Sequence, residues 1–173
     1  MTISDKYDVQ TGYLKKEAFE EFADMAERED KFKSVPVGVL FTDINDLKKY
    51  HDYYGHAMSD LQIRKVALVI EEATKCRGEY YRFGGDEFVV LAKNYDRERA
   101  NAYINNVRAY IETKIRTENK RYDVVISAGV HIADPSSEDR EERFDQYHLF
   151  SKYLKLADSA MYEEKRQHKQ YKI

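Results

Sequence analysis

The stretch YRFGGDEFVVLAKN, residues 81–94, places two glycines and two adjacent carboxylates between aromatic and apolar residues. The flanking aromatic and β-branched residues favour strands, and the glycines favour a turn. The pattern predicts a β-hairpin with Gly84 and Gly85 at its tip and with Asp86 and Glu87 beside the turn. Polar residues at a hairpin tip are often there only because the tip is solvated. The rest of the chain must therefore decide whether these acids have a function.

Length and composition predict one independently folding domain over residues 1–173. Of these residues, 42% are hydrophobic, which is enough for a core. The single cysteine, Cys76, excludes an internal disulfide and a cysteine-cluster metal site. No apolar run approaches membrane-spanning length, and the start, MTISDKYDVQ, lacks the apolar segment of a signal peptide. We therefore expect a cytoplasmic protein without a membrane segment.

The charge balance argues against a nucleic-acid partner. The chain has 29 basic and 32 acidic residues, for a formal net charge of −3. Binding to duplex nucleic acid usually depends on a basic surface, and this composition provides no overall positive field. The charged stretch DPSSEDREER, residues 134–143, is typical of a solvated loop.

Hydrophobic periodicity predicts alternating helices and strands. The predicted helices cover 13–30, the segment from Ser59-Asp60 to Gly78, 96–117 and 144–169, and the predicted strands outside the hairpin cover 35–44 and 122–133. The order is helix, strand, helix, hairpin, helix, strand, helix. It predicts an α/β (α+β) fold of the split βαβ, ferredoxin-like type, with a mixed central sheet and flanking helices. In such a sheet Asp43, at the end of the first long strand, faces Asp86 and Glu87.

The negative charge of a carboxylate cluster that is built from separate segments has to be compensated. The charges repel one another, so such a cluster either holds a proton or binds a cation. Oxygen ligands suit Mg²⁺, which usually combines a few carboxylates with substrate phosphates. Phosphoryl transfer is the chemistry that uses this combination, and Lys48 and Arg82 lie near the two acidic segments in the sequence.

Five ordered segments extend this interpretation to most of the chain. TDINDLKKYHDYYGHAMSD (42–60) and RFGGDEF (82–88) resemble the GGDEF family of diguanylate cyclases, which join two GTP molecules into cyclic di-GMP. The other three segments are similar to the family's opening Asp-x-Leu-Thr-Gly-Leu pattern, its Ser-x-Gly-Val strand and its closing helix: DVQTGYLKKEAF (8–19), SAGV (127–130) and ADSAMYEEK (157–165). The resemblance implies a palm-type nucleotidyl cyclase fold with an exposed GGDEF hairpin.

The resemblance also implies a metal site. Asp43 and Asp86 match the family's metal ligands, and the main-chain carbonyl of Ile44 is the implied third ligand. Glu87 matches the residue that polarises the attacking 3′-hydroxyl or helps to bind metal. The implied cofactor is Mg²⁺ or Mn²⁺, with two ions in each active site.

Four basic residues match positions that contact phosphate in the family: Lys48, Arg82, Lys165 and Lys169. The three lysines are the implied ligands of triphosphate oxygens. Arg82 is the implied residue that supports charge in the transition state. Each of them, taken alone, is more typical of a solvated surface, and only the motif context favours a role in the site, above all for Lys48 and Arg82.

The implied guanine site contains an unusual residue. Asp60 matches the residue that accepts hydrogen bonds from the guanine N1 and N2 donors, and His56 lies in a Gly-His pair beside the nucleotide. His51 stands where the family usually has an asparagine that contacts the guanine edge. A neutral imidazole offers one donor and one acceptor with a reach different from that of an amide. Guanine affinity and base selectivity are therefore open. Further departures from the family pattern are Lys16, Asn45 and Ser59.

Three functions stay open at this point. The first is an active cyclase that binds GTP and works as a two-fold homodimer, under an upstream sensor domain or protein if one exists. The second is a weak or inactive domain that acts as a GTP-binding regulatory module, and the third is a cyclase with altered base selectivity. KCRG, residues 75–78, stands where many family members carry an inhibitory Arg-x-x-Asp site, so product inhibition through that site is not expected.

Overall fold

The computed structural model describes residues 3–28, 36–75, 78–115, 123–133 and 149–170. The elements, in chain order, are β1 (Leu14–Lys15), α1 (Lys16–Arg28), β2 (Val37–Asn45), α2 (Leu47–Tyr54), α3 (His56–Thr74), β3 (Gly78–Arg82), β4 (Glu87–Lys93), α4 (Arg97–Tyr110), β5 (Val125–Ala133) and α5 (Leu149–Gln170). A short 3₁₀ helix (Ile3–Lys6) precedes β1, and a π-helical turn (Ile111–Ile115) extends α4. None of the described helices combines the length and apolar character needed to span a membrane.

The strands form one mixed sheet in the order β1-β3-β4-β2-β5. β1 runs parallel to β3, and the other neighbouring pairs are antiparallel. Residues 37–44 of β2 are buried. A strand with neighbours on both sides and helices on both faces loses water on every side, which explains the apolar run from Val37 to Phe41.

Helices cover both faces of the sheet. One core, which includes Leu40, lies between the sheet and residues of α2, α3 and α4. The other core, which includes Val39 and Phe41, lies between the sheet and residues of α1 and α5. Because successive side chains of a strand point to opposite faces, Asp43 belongs to the face covered by α1 and α5.

The predicted fold class and the GGDEF hairpin are both confirmed. β3 and β4 pair in antiparallel fashion, with Tyr81 opposite Val89, and residues 83–86 connect them. Gly85 is exposed at the tip. The predicted order of long elements also holds, although the helix predicted from residue 144 is described only from Leu149.

Three predicted boundaries are wrong. The helix expected to begin at Ser59-Asp60 begins at His56, because Gly55 with φ 83° separates it from α2. That helix ends at Thr74 rather than at Gly78, which instead begins β3. Leu14–Lys15, predicted as helix, forms β1 because it pairs with β3. Helix α2 was not predicted, since its sequence LKKYHDYY is polar and short.

Candidate active site

The pairing of β2 with β4 brings three acidic residues together. Asp43 lies opposite Glu87 in the register of the two strands. The Ile44 amide donates a hydrogen bond of 2.9 Å to the carbonyl oxygen of Asp86. The sequence-based expectation that Asp43 faces Asp86 and Glu87 is therefore met in the backbone arrangement.

Asp43 is almost completely buried and is paired with a lysine from α5. Only 3% of the residue is exposed, and the Nζ of Lys165 lies 2.6 Å from its Oδ1. A carboxylate in such a position requires a partner, since the loss of hydration disfavours its charge. Lys165, predicted as a phosphate ligand, thus compensates the charge of Asp43 in this structure.

Glu87 lies in an environment that disfavours its charged form. Burial raises the pKa of Glu87, and repulsion from Asp86, Asp43 and Asp158 raises it further. The positive charge of Lys165 acts in the opposite direction. Carboxylates with raised pKa values are candidates for proton transfer at neutral pH.

Arg82 holds the hairpin tip against the start of the domain. Its Nε and Nη2 donate hydrogen bonds to the carbonyl oxygens of Gly84 at 3.1 Å and Gly85 at 2.9 Å. Its Nη1 donates to Asp8 Oδ1 at 2.9 Å and to Gln10 Oε1 at 2.6 Å. The side chain is 12% exposed. Two of these four hydrogen bonds thus hold the tip carbonyls, and the other two hold Asp8 and Gln10.

Asp60, predicted to read the guanine edge, is partly buried on α3. It accepts a hydrogen bond of 2.9 Å at Oδ1 from Nε2 of Gln10. The base-reading candidate and the GGDEF tip are therefore linked through Gln10 and Arg82.

The remaining nucleotide candidates lie on α2 and at the start of α3. Lys48 is exposed in the first turn of α2. The rings of His51 and His56 pack edge to face, with centroids 3.8 Å apart. Both histidines therefore lie at the corner where Gly55 separates the two helices.

Some predicted residues fall outside the described part of the structure. The side chain of Lys169 is one of these, although its backbone continues α5. Cys76 and Arg77, in the segment that replaces the family's inhibitory site, also lie outside the described residues.

Asn45, a departure from the family pattern, has a local structural role. Its amide and the hydroxyl of Ser127 exchange two hydrogen bonds, of 2.9 and 3.1 Å. Asn45 thereby joins the end of β2 to β5.

The donor set fits a divalent metal that is shared with a substrate. Within the described ranges, no group of three or more His, Cys, Asp or Glu side chains is arranged to hold a metal ion. Mg²⁺, however, is commonly bound by one or two carboxylates together with substrate phosphates. Asp43 and Asp86 would supply the carboxylates, and a cation would relieve the repulsion that raises the pKa of Glu87.

Two residues of the site were missed in the sequence. Asp158 of α5 acts electrostatically on Glu87. It lies in the ADSAMYEEK segment, so the match of that segment to the family's closing helix was the available sign of it. Gln10 occupies the leucine position of the opening Asp-x-Leu-Thr-Gly-Leu pattern, and this departure marks it. Neither contact follows from sequence spacing, since both residues are distant in the chain from their partners.

Comparisons with known proteins identify a family for this chain. A family model described as the GGDEF domain of diguanylate cyclases matches residues 5–171. Diguanylate cyclase A of Treponema denticola is 31% identical over 134 residues, which are 77% of this chain and 33% of that protein. The probable diguanylate cyclase DgcT of Escherichia coli is 30% identical over 137 residues, which are 77% of this chain and 28% of that protein. The chain thus spans a third or less of these curated relatives.

Solved structures show the same fold. The GGDEF domain of DgcB from Caulobacter crescentus, in complex with c-di-GMP, aligns with a TM-score of 0.75 at 20% identity, over 97% of this chain and 92% of that one. The GGDEF domain of PA1120 from Pseudomonas aeruginosa aligns with a TM-score of 0.70 at 26% identity, over 93% of this chain and 89% of that one. With the family match over nearly all of its length, the chain belongs to the diguanylate cyclase GGDEF-domain family.

Proposed function

We propose that this chain is the catalytic domain of a diguanylate cyclase, which condenses two GTP molecules into cyclic di-GMP and releases pyrophosphate. One observation carries the proposal: Asp43, Asp86 and Glu87 converge where β2 meets the hairpin, with Lys165 against Asp43 at 2.6 Å. GGDEF diguanylate cyclases generally use a divalent metal, and the convergence provides carboxylates for one.

The reaction consists of two equivalent substitutions at phosphorus. In each, the 3′-oxygen of one GTP forms a bond to the α-phosphorus of the other, and the bond from that phosphorus to the oxygen of pyrophosphate breaks. The proton of the 3′-hydroxyl has to be accepted during the attack. Glu87 would be the base, because it lies beside the metal carboxylates and because burial, the largest cause of its raised pKa, favours uptake of a proton.

The triphosphate would lie against the basic residues. Lys165, Lys48 and Lys169 would neutralise phosphate oxygens, and Arg82 would support the charge that develops in the transition state. Asp43, Asp86 and the Ile44 carbonyl would hold Mg²⁺ or Mn²⁺, which would supply positive charge for the phosphate oxygens and for the departing proton of the 3′-hydroxyl. We expect two such ions in each site.

The base would be recognised at the corner of α2 and α3. Asp60 would accept from the guanine N1 and N2 donors, which adenine does not present in the same arrangement. His51 and His56 would lie beside the nucleotide. Their rings pack edge to face at 3.8 Å between centroids, so a nucleotide that contacts one ring would also lie near the other.

Catalysis would require two copies of the domain. Each copy binds one GTP, and each 3′-hydroxyl attacks the nucleotide of the partner, so a two-fold pair is the smallest active unit. Regulatory partners occur among similar folds: SiaD from Pseudomonas aeruginosa was solved in complex with its activator SiaC. We infer a comparable upstream input for this domain, and a cytoplasmic location.

The test is an incubation of the protein with Mg²⁺ and each nucleoside triphosphate, followed by identification of the products by mass spectrometry. Asp43→Ala and Asp86→Ala should each lower cyclic di-GMP formation by about 100-fold or more, because each removes a carboxylate that the substrate phosphates cannot replace. Glu98→Ala is the matched control, since Glu98 is exposed on α4 beyond the opposite end of β4. Substantial product from either aspartate variant at saturating Mg²⁺ contradicts the assignment.

A second candidate function is a GTP-binding regulatory module without turnover. It is favoured by His51, which packs against His56 where the family has an asparagine that contacts guanine. The same incubation distinguishes the two functions, because a module of this kind binds GTP and yields no cyclic product. A cyclase with altered base selectivity would form a product from another nucleotide.

A further inference from the structure

A continuous set of hydrogen bonds connects the GGDEF tip to the carboxylate proposed to read guanine. Arg82 bonds the carbonyl oxygens of Gly84 and Gly85 and also bonds Gln10 Oε1 at 2.6 Å. Gln10 in turn bonds Asp60 Oδ1 at 2.9 Å. Gln10 is the connecting residue, and it occupies a position where the family pattern has leucine.

The orientation of the Gln10 amide follows from the chemistry of its two neighbours. An arginine side chain has only donors, and an ionised carboxylate has only acceptors. The amide oxygen must therefore face Arg82, and the amide nitrogen must face Asp60. A flipped amide would place donor against donor and acceptor against acceptor.

The backbone that carries Gln10 is itself held in place. Asp8 Oδ1 accepts hydrogen bonds from the amide of Thr11 at 2.9 Å and from its hydroxyl at 2.7 Å. The amide of Asp8 donates to the carbonyl oxygen of Tyr13 at 2.7 Å, and the amide of Gly12 donates to the carbonyl oxygen of Asp8 at 2.8 Å. Gln10 thus projects from a closed turn, which limits the motion of its side chain.

We propose that Gln10 is a positioning residue that sets the rotation of the Asp60 carboxylate and thereby determines how well the site distinguishes guanine from other bases. The proposal rests on the proposed function, in which Asp60 contacts guanine. A carboxylate has about four acceptor positions, so one bond from Gln10 leaves room for the base donors. A carboxylate fixed in rotation meets the N1 and N2 donors together without a further loss of side-chain freedom.

The test compares nucleotides whose bases carry different hydrogen-bond donors. Hypoxanthine keeps the N1 donor of guanine and lacks the 2-amino group, and 3′-deoxy nucleotides cannot be condensed because they lack the attacking hydroxyl. We would measure calorimetric binding of 3′-deoxy-GTP, 3′-deoxy-ITP and 3′-deoxy-ATP to the wild-type chain, Gln10→Leu and Gln10→Glu. Val9→Gln is the matched control, because Val9 is fully exposed in the same turn.

We expect Gln10→Leu to weaken 3′-deoxy-GTP binding by about threefold to tenfold, the effect of one hydrogen bond, and to weaken 3′-deoxy-ITP binding less. The ratio of the two affinities therefore falls. Gln10→Glu keeps an acceptor for Arg82 and places a carboxylate against Asp60. The affinity of Gln10→Glu for 3′-deoxy-GTP should fall further below the wild-type affinity at about pH 8 than at about pH 5.5. At the lower pH a shared proton restores a hydrogen bond between the two acids. A role limited to folding would lower all affinities together and would not depend on pH in this way.

Two results would overturn the inference. The second of them would also contradict the proposed recognition of guanine by Asp60. If the wild-type chain prefers 3′-deoxy-GTP while both Gln10 variants keep the wild-type ratio and pH dependence, the positioning role fails and the proposed function stands. If the wild-type chain has no preference for guanine, base reading by Asp60 fails and the positioning role fails with it. Melting temperatures measured in parallel identify a variant that has merely unfolded, and the other variant then decides.

Discussion

At Glu87, burial and three neighbouring acids raise the pKa of one carboxylate. Burial is the largest cause of its raised pKa, and the acids of the hairpin, β2 and α5 add to it. The native state therefore binds the proton of Glu87 more tightly than the unfolded chain does. Below the ordinary pKa of the side chain, Glu87 is protonated in both the folded and the unfolded state, and the folded state loses no stability. As pH rises through the higher native value, the folded state loses stability relative to the unfolded state.

Glu87→Gln should therefore stabilise the metal-free protein at neutral pH. Partial solvent exposure limits the effect, so we expect a rise in melting temperature of about 1–3 °C at pH 7, which disappears near pH 4. The measurement is a thermal melt across that pH range, with Glu98→Gln as the control.

In turnover assays, Glu87→Gln should lower kcat by about 100-fold and change KM much less. An effect on KM alone would count against Glu87 as the group at the attacking hydroxyl.

His51 is the residue at which this chain departs most from its family in the proposed base site. His51→Asn restores an amide and should tighten GTP binding by several-fold to about tenfold, since one added hydrogen bond is worth on the order of 1 kcal/mol. Calorimetry with 3′-deoxy-GTP and 3′-deoxy-ATP measures both affinity and selectivity. Unchanged affinity for both nucleotides would place base recognition elsewhere in the domain.

At the scale of elements, the contact between α5 and β5 positions the α5 side of the site. α5 carries Lys165 and Asp158, and it approaches β5 closely at Gly129. An added Cβ at Gly129 would lie 2.1 Å from the carbonyl oxygen of Ala157 and 2.3 Å from the amide nitrogen of Met161. Both are backbone atoms, so the helix could accommodate the methyl group only by moving away from the sheet.

Gly129→Ala should lower the free energy of unfolding by about 2–3 kcal/mol, because overpacking against backbone cannot be relieved by a rotamer change. Chemical denaturation measures this loss. Gly85→Ala is the control for stability, since its added Cβ would meet no atom within 4 Å. Equal stability of the two variants would show that α5 shifts without cost.

At the scale of the whole molecule, the proposed reaction needs a second copy of the domain. The sequence of residues 1–173 contains no long heptad repeat that would form a coiled-coil dimer. Specific activity should therefore rise with protein concentration, and a coiled coil fused to the N-terminus should raise it by about tenfold or more at low concentration through mass action. Sedimentation measured over the same dilutions gives the fraction of dimer. Constant specific activity in a monomeric sample would contradict the two-fold pairing.

Local sequence patterns were sufficient to predict the fold class and the proximity of Asp43 to Asp86 and Glu87. The glycines and flanking β-formers of the hairpin specify a turn between two strands, and the apolar run before Asp43 specifies a central strand. Both signals act over a few residues, where backbone preference and periodic burial dominate. The pairing of Asp43 with Glu87 then followed from the order of the elements, because a mixed sheet of this type leaves few neighbours for its central strand.

Only the tertiary structure decided which side chains touch. Lys165 and Asp43 are 122 residues apart in the chain, and Gln10 and Asp60 are 50 apart. Such contacts depend on the angle and depth at which helices and turns pack against the sheet, which are set by the whole core rather than by local spacing. For the same reason, sequence patterns identified Arg82 as a charge near the acids and could not show that it is bonded to the GGDEF tip and to Gln10.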